Sequence, residues 1–294
     1  MRQRRLEMKT SEIFRNKTVL SFEIFPPKPT SDEGVIYKTL DGLTGLKPDF
    51  ISVTYGAGGG KNCEKTIQIA SDVKNKYGIE SVAHLPGINI TEEEAIEILD
   101  KIKENGINNV LALRGDISPD IPPAGRFRHA DELISFIRER YDFNILAACY
   151  PEGHPESPNI IDDINNLKRK AESGASQLVT QLFLDNDYFY SFRERTALAG
   201  INLPIEAGIM PVTNKAQIER MVKLCGVNLP KKFMKAIERY EDNPLALRDA
   251  GIAYAIDQIV DLLSQDVDGI HLYTMNNPYV ARRIYEAVYN LFNA

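Results

Sequence analysis

Short apolar runs rich in β-branched residues alternate eight times with longer stretches of helical period, and that alternation constrains this chain more than any other feature. The runs are Val19–Phe25, Phe50–Thr54, Glu80–His84, Asn109–Leu113, Asn144–Tyr150, Gln177–Leu182, Ile205–Ile209 and Gly269–Tyr273. A parallel sheet covered on both faces by its crossover helices requires such strands, apolar throughout and each followed by an amphipathic segment. Thr91–Asn105 opens with Thr91 three residues ahead of Glu94, a capping box, and stops at Gly106. Ile160–Ser173 sets Ile160, Ile164, Leu167 and Ala171 on one face and stops at Gly174. In the excursion Val227–Ser264, Pro230 and Pro244 open two further helices.

Eight units within 294 residues predict an α/β chain with one (β/α)₈ TIM barrel at residues 18–294, preceded by an N-terminal extension at residues 1–17. The extra helices fall between the seventh and eighth strands. A doubly wound open sheet would carry a G-x-G-x-x-G turn after its first strand. Here the first run ends in Phe25-Pro26-Pro27, and Gly56 and Gly58–Gly60 match neither that spacing nor a G-x-x-x-x-G-K-S/T phosphate loop.

A hydrophobic fraction of 43% supplies a large core, and a formal charge of −6 argues against nucleic acid or anionic lipid as partner. A small molecule is the expected ligand. Cys63, Cys149 and Cys225 form no C-x-x-C pair, and His84, His129, His154 and His271 are too dispersed for zinc-ligand spacing, so neither a disulfide framework nor a metal site is expected. Arg2, Arg4, Arg5 and Lys9 make the N-terminus basic, but no apolar signal core follows, and no run reaches the ~20 apolar residues of a membrane span. A soluble cytoplasmic protein is expected.

In such a barrel, catalytic groups come from strand C-termini and the loops beyond them. Glu23 interrupts the apolar Phe22-Glu23-Ile24-Phe25 just before two prolines that end the strand at the mouth. A carboxyl in apolar surroundings has a raised pKa and serves as a general acid near neutrality, although a core Glu paired with an Arg has the same appearance. Leu113-Arg114-Gly115-Asp116 offers opposite charges around a glycine that permits close approach, or a surface turn with its own ion pair. His84 reads equally as a hydrogen-bonded core residue or a ligand contact. His154 lies in a proline-stiffened loop, Tyr150-Pro151-Glu152-Gly153-His154-Pro155-Glu156, which reads equally as a ligand-binding loop or as plain stiffening. Lys168-Arg169-Lys170 reads first as a solvated helix face and second as a phosphate site.

The ordered set Ser21–Pro27, Ser52–Gly56, Leu113–Asp116, Tyr150–Glu156, Leu167–Lys170, Thr180–Phe183 and His271–Asn276 resembles the methylenetetrahydrofolate reductase family from about residue 18 to the C-terminus. The resemblance implies a flavin-containing barrel in which FAD passes a hydride to methylenetetrahydrofolate, giving methyltetrahydrofolate in one-carbon metabolism. It carries family FAD contacts onto Thr54, His84, Leu113, Arg114, Gly115, Asp116, Ala130, Tyr150, His154, Asp163, Asn166, Arg169 and Lys170. Glu23 is then the acid that opens the folate's five-membered ring, and Asp116 lies near flavin and pterin. Gln181 and Tyr273 position the folate. The electron donor is NAD(P)H or a partner protein, in a homo-oligomer or a hetero-complex.

Three positions depart from the pattern of nicotinamide-dependent bacterial members: Lys215 stands where an aromatic is expected, Asn277 where an Arg is, and His129 where a Tyr is. The first removes a stacking ring and the second a guanidinium, which predicts a poor direct reaction with NADH unless nearby residues compensate. A flavin-free folate methyltransferase barrel and a non-catalytic flavin- or folate-binding subunit are the rival readings.

Overall fold

The computed structural model describes residues 8–27, 34–55, 61–117 and 123–292. Arg2, Arg4, Arg5, Gly56 and Gly58–Gly60 lie outside the described residues. The strands are β1 (Val19–Ile24), β2 (Phe50–Val53), β3 (Glu80–Pro86), β4 (Asn109–Leu113), β5 (Asn144–Cys149), β6 (Gln177–Thr180), β7 (Ile205–Ile209) and β8 (Gly269–Tyr273). All pair in parallel and close in chain order, with β1 bonded to both β2 and β8. The helices are α1 (Gly34–Thr44), α2 (Lys61–Asn75), α3 (Glu92–Glu104), α4 (Ala130–Arg140), α5 (Ile160–Glu172), α6 (Asn186–Leu198), α7 (Lys215–Cys225), α8 (Lys231–Tyr240), α9 (Pro244–Ser264) and α10 (Pro278–Phe292). This is the expected (β/α)₈ barrel, with α8 and α9 added before β8.

The period of two along each strand decides what faces where. Phe22, Ile24, Ile51, Val53, Ala83 and Leu85 point outward and are buried in the main core with the helices. The inward positions form layers. Nearest the N-terminal ends, Val19, Phe50, Val82, Leu111, Leu146 and Val179 make one apolar layer, against which Ile13 and Phe14 pack. Ile13 and Phe14 belong to a 3₁₀ helix, Thr10–Arg15, that lies under the barrel. Its buried Thr10 donates from N–H to Asn109 Oδ1 at 2.8 Å and from its hydroxyl to Gln177 Oε1 at 2.7 Å, and it accepts from Asn144 Nδ2 at 2.9 Å.

The capping box holds: Thr91 N–H donates to Glu94 Oε2 at 2.8 Å and Glu94 N–H to Thr91 Oγ1 at 3.2 Å. Pro244 begins α9, whose N-cap Asn243 accepts from Ala246 N–H at 3.1 Å. Gly251 lets α9 lie directly on the chain after β7, since a Cβ there would stand 1.7 Å from the Val212 carbonyl oxygen. The excursion is thereby packed on the barrel, sharing a satellite core of Leu182, Val212, Ile218, Phe233, Ile237 and Leu247.

Two strand ends differ from the expected runs by two residues, and β1, β2 and β5 each stop one residue short of theirs. β3 runs two residues past His84 because its ladder continues against β4, pairing Leu85 with Ala112 and Pro86 with Leu113. His84 therefore points inward from within a strand. β6 stops at Thr180, leaving Gln181 in the loop, where its N–H donates to the Cys149 carbonyl at 2.7 Å.

Candidate active site

Above the apolar layer the inward residues turn polar, and the C-terminal mouth opens into a cavity of about 780 Å³. That is the size of a small-molecule or cofactor site. Every residue singled out above as catalytic, flavin-binding or folate-binding borders it, from Glu23, Thr54 and His84 around to Gln181 and Tyr273. Barrel order places β1 opposite β5, so Glu23 faces the Tyr150 side of the ring.

Glu23 is not surrounded by apolar groups as its sequence neighbours suggested. Those neighbours, Phe22 and Ile24, point away, and the carboxylate instead has two imidazoles beside it: His84 Nε2 and His271 Nε2 each lie 3.6 Å from Oε2. Nor does an Arg pair with it among the described contacts. His84 is buried, and burial pushes its pKa down to about 4, so it stays neutral at physiological pH. Its Nε2 has no hydrogen-bond partner among the described residues.

Tyr273 stands on β8 with its hydroxyl donating to the Thr180 carbonyl at 2.7 Å. Gly208 makes room for that ring, since a Cβ there would come 2.8 Å from Tyr273 Cε2. Burial raises the phenol far above its usual range, so Tyr273 offers a neutral aromatic face.

Arg114 forms a two-pronged pair with Glu156, with Nη2 to Oε1 at 2.8 Å, and does not pair with Asp116. That pair ties the loop after β4 to the loop after β5 and leaves Asp116 exposed at the cavity wall. Gly115 takes φ +89°, which other residues adopt only with strain, and a Cβ there would meet Pro86 Cβ at 2.8 Å. His154 rests edge-on against Tyr150 with ring centroids 4.6 Å apart, and its Nδ1 accepts from Glu156 N–H at 3.1 Å. Asp163 is buried and accepts from the Ser157 hydroxyl at 2.9 Å.

The basic run separates. Lys168 and Arg169 are exposed, with Arg169 reaching Asn166 at 2.5 Å and Asp131 at 3.7 Å. Lys170 turns inward, donates to the Ala148 carbonyl at 2.9 Å, and has its pKa lowered by burial.

Of the three departures, only His129 borders the cavity. Lys215 pairs with Glu241 at 2.6 Å, and Asn277 caps α10 by accepting from Val280 N–H at 3.2 Å. Sequence reasoning missed Ser21, His271 and Glu206, which stack inward beneath Glu23. The available signal was polar residues recurring at every second position of otherwise apolar strands.

Residues 8–289 match the family described as Methylenetetrahydrofolate reductase. The 5,10-methylenetetrahydrofolate reductase of Escherichia coli (strain K12) is 35% identical over 257 residues, covering 87% of this chain and 86% of its own length. Methylenetetrahydrofolate reductase (NADH) 1 of Arabidopsis thaliana is 36% identical over 282 residues, covering 89% of this chain and 47% of that longer protein. Among solved structures, an uncharacterized Clostridium thermocellum protein that binds two copies of 5-methyl-5,6,7,8-tetrahydrofolic acid superposes with a TM-score of 0.69 at 12% identity. It covers 98% of this chain and 100% of its own, a likeness of fold.

Proposed function

The chain belongs to the methylenetetrahydrofolate reductase family, and from that premise we propose that it reduces methylenetetrahydrofolate to methyltetrahydrofolate with FAD bound in the barrel mouth. The observation that carries this reading is a single cavity bordered by an acid, Glu23, and across the ring by Arg114, Asp116, Tyr150 and Lys170. A flavin dinucleotide suits these residues. The buried, unpartnered His84 Nε2 supplies a polar contact, Gly115 lets backbone approach closely, and Arg169 with Lys170 answers diphosphate charge. Thr54, Leu113, Ala130, His154, Asp163 and Asn166 complete the cofactor's surroundings.

When bound and reduced, FAD supplies the hydride. Glu23 delivers a proton to an amine of the folate's five-membered ring, which opens to an electrophilic iminium ion. Asp116 holds negative charge beside flavin and pterin and helps retain the substrate. Gln181 and Tyr273 orient the folate over the cavity floor. The test is anaerobic: photoreduce the purified flavoprotein, add methylenetetrahydrofolate and follow flavin absorbance for wild type and Glu23→Gln. Rapid reoxidation that is lost in the variant is expected. Unchanged reoxidation in the variant removes Glu23 from the chemistry, and absence of bound flavin or of any reoxidation defeats the reading itself.

The electron donor in this reading is NAD(P)H or a partner protein, and the missing ring and guanidinium favour the partner. Lys215 and Asn277 are engaged in an ion pair and a helix cap away from the cavity lining, so neither supplies a ring or a guanidinium for a nicotinamide. The expected result is slow flavin reduction by NADH in purified protein. Rapid reduction by NADH alone would eliminate the partner.

A further inference from the structure

Beneath Glu23 lies a second carboxyl that this chemistry does not use. Glu206, on β7, is fully buried, with no Lys or Arg among its hydrogen-bond partners in the described residues. Gly269 makes space for it, because a Cβ there would lie 2.9 Å from Glu206 Cγ. Its Oε1 accepts from the Ser21 hydroxyl at 2.7 Å, and Ser21 Oγ lies 2.6 Å from His271 Nδ1. The other ring nitrogen, His271 Nε2, lies 3.6 Å from Glu23 Oε2. Four groups on three adjacent strands thus run from inside the barrel to the mouth, with Ser52 Oγ, on β2, beside the last step at 3.4 Å from His271 Nε2.

We propose that Glu206, Ser21 and His271 form a proton wire beneath Glu23, with Glu206 as its internal reservoir. The proposal rests on the acid role given to Glu23 above. A hydroxyl between a carboxyl and an imidazole has two self-consistent hydrogen-bond arrangements. In one, Glu206 is protonated and donates to Ser21, Ser21 donates to His271 Nδ1, and His271 Nε2–H faces a Glu23 carboxylate. In the other, Glu206 is a carboxylate accepting from Ser21, Ser21 accepts from His271 Nδ1–H, and the bare Nε2 faces a protonated Glu23.

Passing from the first to the second breaks the Glu206 O–H, the Ser21 O–H and the His271 Nε2–H bonds. It forms a new O–H on Ser21, an N–H at His271 Nδ1 and an O–H on Glu23. One proton leaves the reservoir, one arrives at the acid, and net charge is unchanged. Glu206 touches neither substrate nor cofactor; it acts through its two neighbours.

The surroundings suit a reservoir. Burial pushes the Glu206 pKa up to about 7, with Asp49 adding to the rise and His271, Ser21 and Gln177 opposing it, so both arrangements are accessible near neutrality. Gln177 Nε2 donates to Glu206 Oε2 at 3.4 Å, which suits either state. His84 flanks Glu23 but is not a sink, because its burial disfavours protonation. The 3.6 Å step from His271 to Glu23 is longer than a hydrogen bond. Such steps tighten when substrate binds, or one water spans them.

The wire is tested by two variants and a spectrum. Glu206→Gln removes the reservoir and Ser21→Ala cuts the wire, while Glu23 remains. In photoreduced protein each is expected to slow reoxidation by methylenetetrahydrofolate about tenfold near pH 7 with little change in KM, a fraction of a general acid's contribution, and to lose a pH inflection near neutrality. Infrared difference spectra of the protein without folate should show a protonated carboxyl band that titrates near neutrality in wild type and is absent in Glu206→Gln. Wild-type rates and pH profiles in both variants, or no such band in wild type, would overturn the wire. If Glu206→Gln does not fold, Ser21→Ala and the wild-type spectrum decide it. A wild type that is not reoxidised at all would instead defeat the reductase reading, leaving the infrared result to judge the wire.

Discussion

The two ends of this barrel are built from the same strands and solve opposite problems. At the floor, polar side chains meet one another: Thr10, Asn109, Asn144 and Gln177 share short hydrogen bonds beneath the apolar layer, and of these four side chains only Asn144 Oδ1 is buried without a partner among the described residues. At the mouth, polar side chains face a cavity: His84 Nε2 lacks a hydrogen-bond partner and Glu23 lies 3.6 Å from each neighbouring imidazole. Groups that satisfy one another add stability, whereas groups held unsatisfied await a ligand. Damage at the mouth should therefore appear in chemistry, and damage at the floor in folding.

The largest effect expected is on rate. Glu23→Gln should lower flavin reoxidation by methylenetetrahydrofolate about 10²–10⁴-fold, the usual contribution of a general acid, while the unfolding midpoint in urea stays near that of wild type. A large fall in the midpoint would place Glu23 among the structural groups and erase the contrast.

Next comes a pH experiment on two buried groups with opposite signs. Glu206, shifted up to about 7 from 4.5, holds its proton in the folded chain after the unfolded chain has lost it. Its contribution is present below pH 4.5 and is lost as pH rises through about 7. His84, shifted down to about 4 from 6.5, contributes stability above pH 6.5 that is lost as pH falls through about 4. Each shift corresponds to something on the order of 3 kcal/mol, and over the shared window the two slopes oppose. Glu206→Gln should unmask a stability that climbs between about pH 4 and 6.5, and His84→Asn one that declines between about pH 4.5 and 7. Urea unfolding across that range measures both, and identical pH profiles in the two variants would refute the assignment.

Much of this architecture was legible from pattern alone, because eight buried strands must read as apolar runs whatever their environment. Glu23 stood out for the same reason: a charge inside such a run is conspicuous. Its environment was not legible, since the neighbours that matter, His84 and His271, come from other strands and meet it only through barrel closure and inward pointing. Asp116 looked like the natural partner of Arg114 two residues away, yet Glu156 from the next loop takes that place. Glu206 was passed over because Ile205–Ile209 read as plain strand, and only the position of Ser21 across the barrel interior gives it meaning.

At the floor, Asn144→Ala should cost about 1–3 kcal/mol, the usual effect of deleting one partner in a buried hydrogen-bond cluster. Asn144 is 1% exposed and donates to both Thr10 Oγ1 and Gln177 Oε1. The reoxidation rate of the folded fraction should match wild type. A slowed rate at unchanged stability would mean that the floor and the mouth are coupled through Gln177 and Glu206.

The smallest effect belongs to the ion pair beside that cluster, Lys9 with Asp142 at 2.6 Å. It ties the chain ahead of Thr10 to the loop between α4 and β5 and has the shortness of a strong contact. The Asp142 side chain is nevertheless 86% exposed, so water and salt screen the attraction and holding two side chains in one geometry costs entropy. A double-mutant cycle of Lys9→Ala and Asp142→Ala should give a coupling below about 1 kcal/mol that shrinks as salt is added. The Thr10 hydrogen bonds, sealed under the barrel, should be indifferent to salt. A coupling that equals the Asn144→Ala loss and survives high salt would show that the floor is held from its rim rather than by its buried polar cluster.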